Sequence, residues 1–577
     1  MSAVRPREIF RAGAVVVLCL LPLLWKAGVP DSTFHMEVMS LMPSQETWLR
    51  CHAGEARAWV LPSWNGRPRL NKPPMLVWLN LLAWHGLDPD NAAVDELVRR
   101  ARVLSAALAG LGLVGVYAMG QLLGGSALAW RAVLATGTML FFIRQCRLAS
   151  YDTHLFAWVS VAVALIWWAL KSAWLAQGRP QGAAWAAAFL AGAALGMGVL
   201  TKGPIAFLFV LVPAGTILWA LGPPRTPCAR LVLLMLLAAV ALSSPWYGYL
   251  LHEFPAAGQV LLSEYRQARE KAQFPLYYLV LLALAFPWSF SLAGACGSFL
   301  CRHSRKSLSR REWIPLVWLL AVLLVMSVPE AKRERYVFPV FPAAGLLVAQ
   351  WWLWLEERGR SPGALAGWER ALFWGHGAAL VGCSAAIASF PAIQALLLKM
   401  GFLTEAVMPG LEWKASLPAG FVLLCLTAWA LKLVQRGRYG RTLALSAVWM
   451  ALVSTFVLHY YVHSHHGHYP GRMDAERAAS LSRGIALFWL CTDPGTDREP
   501  DQKFLLYSRR IIPRIGPEEL KRVMGWRGKI AVIGKADEAH GRIASQLGLE
   551  PVLAFKDGRQ ERVLYMRRDP QPKESAP

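Results

Sequence analysis

The sequence predicts an all-α polytopic membrane protein with a small α/β tail, and three observations carry that reading. Of its 577 residues 55% are apolar and only 17% are charged. Apolar stretches of roughly 17 to 25 residues, each long enough to cross a bilayer as a helix, recur until about residue 460. The 27 tryptophans often close such stretches, as in Trp167-Trp168 and Trp351-Trp352, where indole rings favour the headgroup level.

The chain opens with arginines at 5, 7 and 11 and then an apolar run. A secretory signal looks similar, but no clean small-residue cleavage site follows, so the run is an uncleaved first helix. About thirteen spans are expected. They cover 10–28, 101–122, 130–147, 154–174, 183–200, 204–221, 230–248, 276–296, 313–328, 337–355, 371–390, 416–434 and 442–461. The apolar piece 75–86 is too short to cross and reads as re-entrant or interfacial. Short basic loops, such as the one with Arg302, Arg305, Lys306, Arg310 and Arg311, place the N-terminus inside the cell and the tail outside. Residues 1–461 then form the membrane domain, with 29–100 as a first outer loop carrying interfacial helices, and 462–577 form the outer tail. In that tail, strand-like runs at Lys503–Tyr507, Lys529–Ile533, Pro551–Phe555 and Arg562–Met566 alternate with helix-like runs at Pro517–Met524 and Ala536–Leu547. Gly534 follows a strand without GxGxxG, so no dinucleotide site is read there.

A net charge of +24 would suggest nucleic acid in a soluble protein. Here the positive-inside rule and anionic lipid headgroups account for it, and no nucleic-acid partner is expected. The nine cysteines show no metal-like spacing. Cys51 and Cys491 both fall outside the membrane, which leaves a disulfide between them open. The tract His463, His465, His466 and His468 reads as a polar linker in preference to a metal site.

Charged residues at the outer helix ends carry the functional information. Asp31 opens the first outer loop in Pro30-Asp31-Ser32-Thr33, and Glu37 follows. Asp152 stands between two spans in Arg147-Leu148-Ala149-Ser150-Tyr151-Asp152. Either aspartate could cap a helix. Two carboxylates at one membrane face also suit general-base chemistry on a hydroxyl. Three basic turns lie on the same face: Asn71-Lys72-Pro73-Pro74, Thr201-Lys202-Gly203-Pro204, and Lys332-Arg333-Glu334-Arg335-Tyr336. Their cations either snorkel to the interface or gather around a phosphate, where negative charge would develop during transfer.

These motifs in this order, together with Gly196-Met197-Gly198, Pro245-Trp246-Tyr247 and Phe286-Pro287-Trp288, resemble the GT-C superfamily of membrane glycosyltransferases. The likeness covers about residues 10–350 and is greatest to the bacterial branch of lipid A aminoarabinose transferases and protein O-mannosyltransferase-like enzymes. It implies a polyprenyl-phosphate sugar donor held in an outer-face cavity, transfer with inversion, and a lipid A-like glycolipid, glycan or protein acceptor. It implies Asp31 and Asp152 as catalytic residues, and Lys72, Lys202, Lys332, Arg335 and Tyr336 around the donor phosphate. Glu37, Arg147, Glu264 and Arg266 would line the approach of donor or acceptor. The implied location is the bacterial inner membrane, with the N-terminus cytoplasmic and the tail periplasmic. The chain departs from that branch where the aminoarabinose enzymes carry metal ligands, having Asn71 and Tyr265 instead. No cofactor is therefore assigned, and a divalent metal stays open. A transporter or flippase of lipid-linked sugars, and a non-catalytic membrane scaffold, are the competing functions. The first calls for repeated halves with charges near the bilayer midplane, whereas the charges here crowd at one face.

Overall fold

The computed structural model describes residues 6–29, 35–223, 225–261, 273–274, 276–300, 308–358, 366–461, 469–492, 499–526, 530–557 and 560–567. It divides into two compact units: one of Met1–Val29, Leu70–Leu76 and Arg99–His465, the other of Pro30–Arg69, Val77–Val98 and His466–Pro577.

The first unit is helical. Eight of the expected spans appear as helices long and apolar enough to cross a membrane, among them Tyr151–Leu175, Gly182–Lys202, Trp413–Gln435 and Tyr439–Tyr461. Three more are shorter than the sequence suggests: the apolar part of the first helix, Phe10–Leu24, then Ile205–Leu221 and Ile314–Ser327. The remaining two, read as continuous at 130–147 and 276–296, are broken. Ser126–Gly137 turns by 66° into Leu140–Cys146, and Tyr277–Leu284 turns by 119° into Ser289–Leu300.

The two breaks meet, and each repairs the other. A bend frees backbone groups that hydrocarbon cannot satisfy. Here the Leu140 amide donates to the Phe286 carbonyl at 2.8 Å, and the Trp288 indole donates to the Thr138 hydroxyl at 3.0 Å. The Pro287 carbonyl lies 2.9 Å from His376 Nδ1, and the His376 ring stacks on Trp288. The Phe-Pro-Trp motif is thus a splice between two bent helices. Elsewhere the bundle closes through small residues, as in membrane helix pairs generally. A Cβ at Gly345 would lie 3.0 Å from the Ala132 carbonyl, and one at Gly115 would lie 2.7 Å from that of Ser160.

The second unit joins the first long loop to the tail. Helix His35–His52 leads to a two-residue hairpin, β1 Ser63–Trp64 against β2 Arg67–Pro68. Asn65 and Gly66 take φ of 49° and 80°, the turn that an Asn-Gly pair favours. Glu46, buried beneath it, accepts from the Ser63 hydroxyl and the Gly66 amide. Burial pushes its carboxyl above the usual range. Asn65 exchanges two hydrogen bonds with the Ile512 backbone, and Arg472 grips Asp95 with two bonds of 2.9 Å. Met75–Ala83 is a nine-residue helix, as the short apolar piece suggested.

The tail holds a five-stranded mixed sheet in the order β4-β3-β5-β7-β6. Its strands are β3 Ala486–Leu490, β4 Arg514–Ile515, β5 Ile530–Lys535, β6 Glu550–Asp557 and β7 Gln560–Met566. β3 is parallel to both neighbours, and its run Ala-Leu-Phe-Trp-Leu is continuously apolar, as in strands covered on both faces. The run expected as a strand at 503–507 is instead the helix Gln502–Ser508. Asp501 caps it by accepting from the Lys503 amide, and Arg509 ends it in the left-handed region. Cys51 and Cys491 are free thiols.

Candidate functional site

The sequence brings a carboxylate and an ammonium together by placing them at opposite ends of two packed helices. Asp152 lies in the first turn of Tyr151–Leu175, capped by Ser150, where a negative charge complements the helix dipole. Lys202 lies in the last turn of Gly182–Lys202, where a positive charge does the same. Gly203, at φ 86°, ends that helix, a conformation that any Cβ would strain. The helices run against each other, so the two ends meet, and Lys202 Nζ pairs with Asp152 Oδ1.

Other groups fix the pair. Gln145, buried, donates to Asp152 Oδ2 at 3.5 Å and to the Ser150 hydroxyl at 2.9 Å. The Lys202 ammonium lies 5.2 Å from the centre of the Tyr336 ring, and the Arg335 guanidinium lies 5.5 Å from it. Tyr336 is held by its neighbours in the short 3-10 helix Glu334–Val340. Phe338 packs on Phe156 and Phe141, and Glu334 accepts from the Tyr277 hydroxyl at 2.9 Å. The Asp152 side chain is 2% exposed and that of Lys202 is 19% exposed. The carboxylate is thus enclosed while the ammonium still reaches solvent. Both carboxylate oxygens are engaged, whereas among the described residues the lysine ammonium hydrogen-bonds to Asp152 alone, which leaves donors for a further acceptor.

The remaining candidates separate. Lys332 is buried and donates to the Gln273 carbonyl at 3.3 Å. Lys72 is half-buried in the loop before Met75–Ala83. Glu37 is fully buried in the first turn of its helix. Arg147 is buried, and its guanidinium fans across five backbone carbonyls, those of Pro22, Leu23, Trp25, Lys26 and Val29, at 2.5 to 3.3 Å. Arg102 adds a bond to the Ala27 carbonyl. These arginines satisfy the open C-terminal end of the first helix. Asp31, Glu264, Tyr265 and Arg266 lie outside the described residues. Among the described residues no three His, Cys, Asp or Glu side chains converge as metal ligands.

Two residues of this neighbourhood were given no role from sequence. Gln145 carries no signal beyond lying two positions before Arg147. Tyr247, inside the Pro-Trp-Tyr motif, puts its hydroxyl 3.7 Å from where a Cβ on Gly203 would be.

No protein-family model matches the sequence. The chain is 29% identical over 357 residues to the undecaprenyl phosphate-alpha-4-amino-4-deoxy-L-arabinose arabinosyl transferase of Pectobacterium carotovorum, covering 58% of this chain and 57% of that protein. It is 28% identical over 340 residues to the enzyme of the same name from Serratia proteamaculans. The matched region thus spans little more than half the length of these relatives. By structure, the chain superposes on ArnT from Cupriavidus metallidurans bound to undecaprenyl phosphate with a TM-score of 0.66 at 17% identity, over 97% of both chains. The archaeal oligosaccharyltransferase AglB from Archaeoglobus fulgidus, in complex with an inhibitory peptide and a dolichol-phosphate, gives 0.51 at 12% identity, over 92% of this chain and 70% of that one. The chain therefore has the fold of the GT-C membrane glycosyltransferases, the superfamily its motif order resembles.

Proposed function

We propose that this protein is a glycosyltransferase of the bacterial inner membrane that moves a sugar from a polyprenyl-phosphate donor to an envelope acceptor on the periplasmic face. The observation that carries the reading is the meeting of Lys202, Asp152 and Tyr336 at one end of a GT-C bundle, with the lysine partly open. The similar proteins, one named for an undecaprenyl-phosphate sugar and one bound to undecaprenyl phosphate, agree with such a donor. All thirteen apolar segments cross the membrane in this reading, the N-terminus is cytoplasmic and the tail periplasmic. Residues 1–461 hold the donor.

The chemistry divides among the residues. An acceptor hydroxyl attacks the anomeric carbon, the bond from that carbon to the phosphate oxygen breaks, and the hydroxyl proton passes to a carboxylate. Asp31 is the base, because both oxygens of Asp152 are already engaged. Lys202 neutralises charge growing on the departing phosphate. Asp152 and Tyr336 aim that lysine. Lys72 and Arg335 complete the phosphate contact, and Lys332, buried on a backbone carbonyl, holds the third basic turn in shape. The bent helices give no reason to prefer a transporter, since their freed backbone groups pair with one another.

The test is transfer by the purified protein from radiolabelled polyprenyl-phosphate sugars to envelope extract, with Asp31→Asn alongside. Label should move to an acceptor with the parent and not with the variant. No transfer of any sugar by a folded, donor-binding parent would sink the proposal.

A further inference from the structure

At the end of the bundle opposite its basic loops lies an apolar groove of about 460 Å³, formed by the last two helices and Trp25 just past the first. Its walls include Val422 and Leu423 of Trp413–Gln435 and Leu452 of Tyr439–Tyr461, and its rim is Trp25, His459 and Tyr460. The side is assigned by charge: Arg358 and Arg370 precede this region and Arg436, Arg438 and Arg441 interrupt it, all at the other end. The stretch 389–412 between the spans has one lysine and two glutamates.

We propose that this groove holds one acyl chain of a diacyl phospholipid from the outer leaflet, with the headgroup seated at the aromatic rim. Depth is the first argument. From Tyr460 down to Leu452 is eight residues, about 12 Å at 1.5 Å per residue, which is under half of a hydrocarbon core of about 30 Å. The groove thus opens to one leaflet only, and chains of that leaflet are what surrounds it. Chemistry is the second. The walls are almost wholly apolar, while the rim gathers an indole, an imidazole and a phenol with ring centres 6.1 and 5.0 Å apart. Rings with an apolar body and a polar tip suit the level of a phosphate headgroup. Val422 and Leu452, 51% and 45% exposed, supply apolar surface that a chain would cover.

Native mass spectrometry of the full chain, extracted from its membrane in mild detergent, tests this. The parent should keep one phospholipid at activation energies that strip the rest. Val422→Trp, which fills the groove, should lower that occupancy at least tenfold. Phe421→Trp, on the neighbouring lipid-exposed position outside the groove, should leave it unchanged. Should Val422→Trp aggregate, Leu452→Trp reads the same site from the facing helix. Equal retention by the parent and the groove variants would overturn the proposal. So would a retained mass matching a polyprenyl phosphate or a glycolipid.

Discussion

Arg147 and Lys202 carry like charges at the same end of one helical unit, yet they are used in opposite ways. Arg147 gives its guanidinium to five carbonyls where the first helix ends. Lys202 pairs with one carboxylate, faces one aromatic ring, and stays partly exposed. A planar, five-donor cation is suited to tying up an unfinished helix end, whereas a flexible point charge is suited to meeting a ligand that comes and goes. The two residues lie in motifs of equal standing in the sequence. What separates structural from ligand-facing charge is how many donors each has left.

That contrast fails if Lys202 matters only for folding. Lys202→Met should lower transfer 10²- to 10³-fold, about 3 to 4 kcal/mol, the scale of losing one donor to developing charge. It should also lower thermal stability, because Asp152 would be buried without its partner. The double variant Asp152→Asn/Lys202→Met separates the effects. Melting temperature should return towards that of the parent, while transfer should stay lost. Recovery of both would make the pair purely structural. Arg147→Ala should do the reverse, costing on the order of 3 kcal/mol of stability as the carbonyls at the end of the first helix lose a shared donor, with kcat of the surviving folded fraction nearly unchanged. Arg147→Lys should rescue little, since three donors on one nitrogen cannot span that fan. Rescue by lysine would show that charge, not geometry, holds the helix end.

A third charged group, in the C-terminal tail, shows what burial does without a partner cation this well placed. Asp557 is 8% exposed. Burial first, then the nearby Asp501 carboxylate, raises its pKa from 3.8 to about 6. An acid raised on folding favours the folded state below about pH 4, and that contribution is lost as pH climbs through about 6. The displacement of about two pH units is worth about 2 kcal/mol after allowance for residual solvent. Asp557→Asn should therefore raise the melting temperature at pH 7.5 and leave it level with the parent at pH 4. A gain equal at both values would mean that titration of Asp557 is not the cause.

Much of the membrane unit was legible in the sequence because hydropathy and span length act locally. Its breaks were less so. Pro287 marks a break within 276–296, but neither the size of that bend nor the bend within 130–147 can be read locally, because the two bends stabilise each other through Leu140 to Phe286 and Trp288 to Thr138. The tail shows the same limit at short range. Phe504-Leu505-Leu506-Tyr507 is an apolar run too short for its period to choose between strand and helix. The choice was made by the Asp501 cap, and the run that does form a central strand, Ala486–Leu490, went unassigned. At the site, the motifs single out Asp152, Lys202, Arg335 and Tyr336 one by one. The pairing of Asp152 with Lys202, and the withdrawal of Arg147 into the scaffold, needed the packing of whole helices.

Tyr336 gives the smallest and sharpest test of how Lys202 is aimed. The ring centre lies 5.2 Å from the ammonium, within the range where an aromatic face attracts a cation, and Arg335 lies at nearly the same distance. If the ring alone positions the lysine, Tyr336→Phe should transfer like the parent, because the face survives and only the hydroxyl is lost. Tyr336→Leu keeps apolar bulk but removes the face, and should lower transfer by about 1 kcal/mol, roughly fivefold. The effect should appear mainly in the donor's KM, since a misaimed lysine meets the phosphate less well before any bond breaks. Equal losses in the Phe and Leu variants would assign the role to the hydroxyl. The phenol would then be a direct phosphate contact, and the comparison with Arg147 would extend to a neutral side chain that also keeps a donor in reserve.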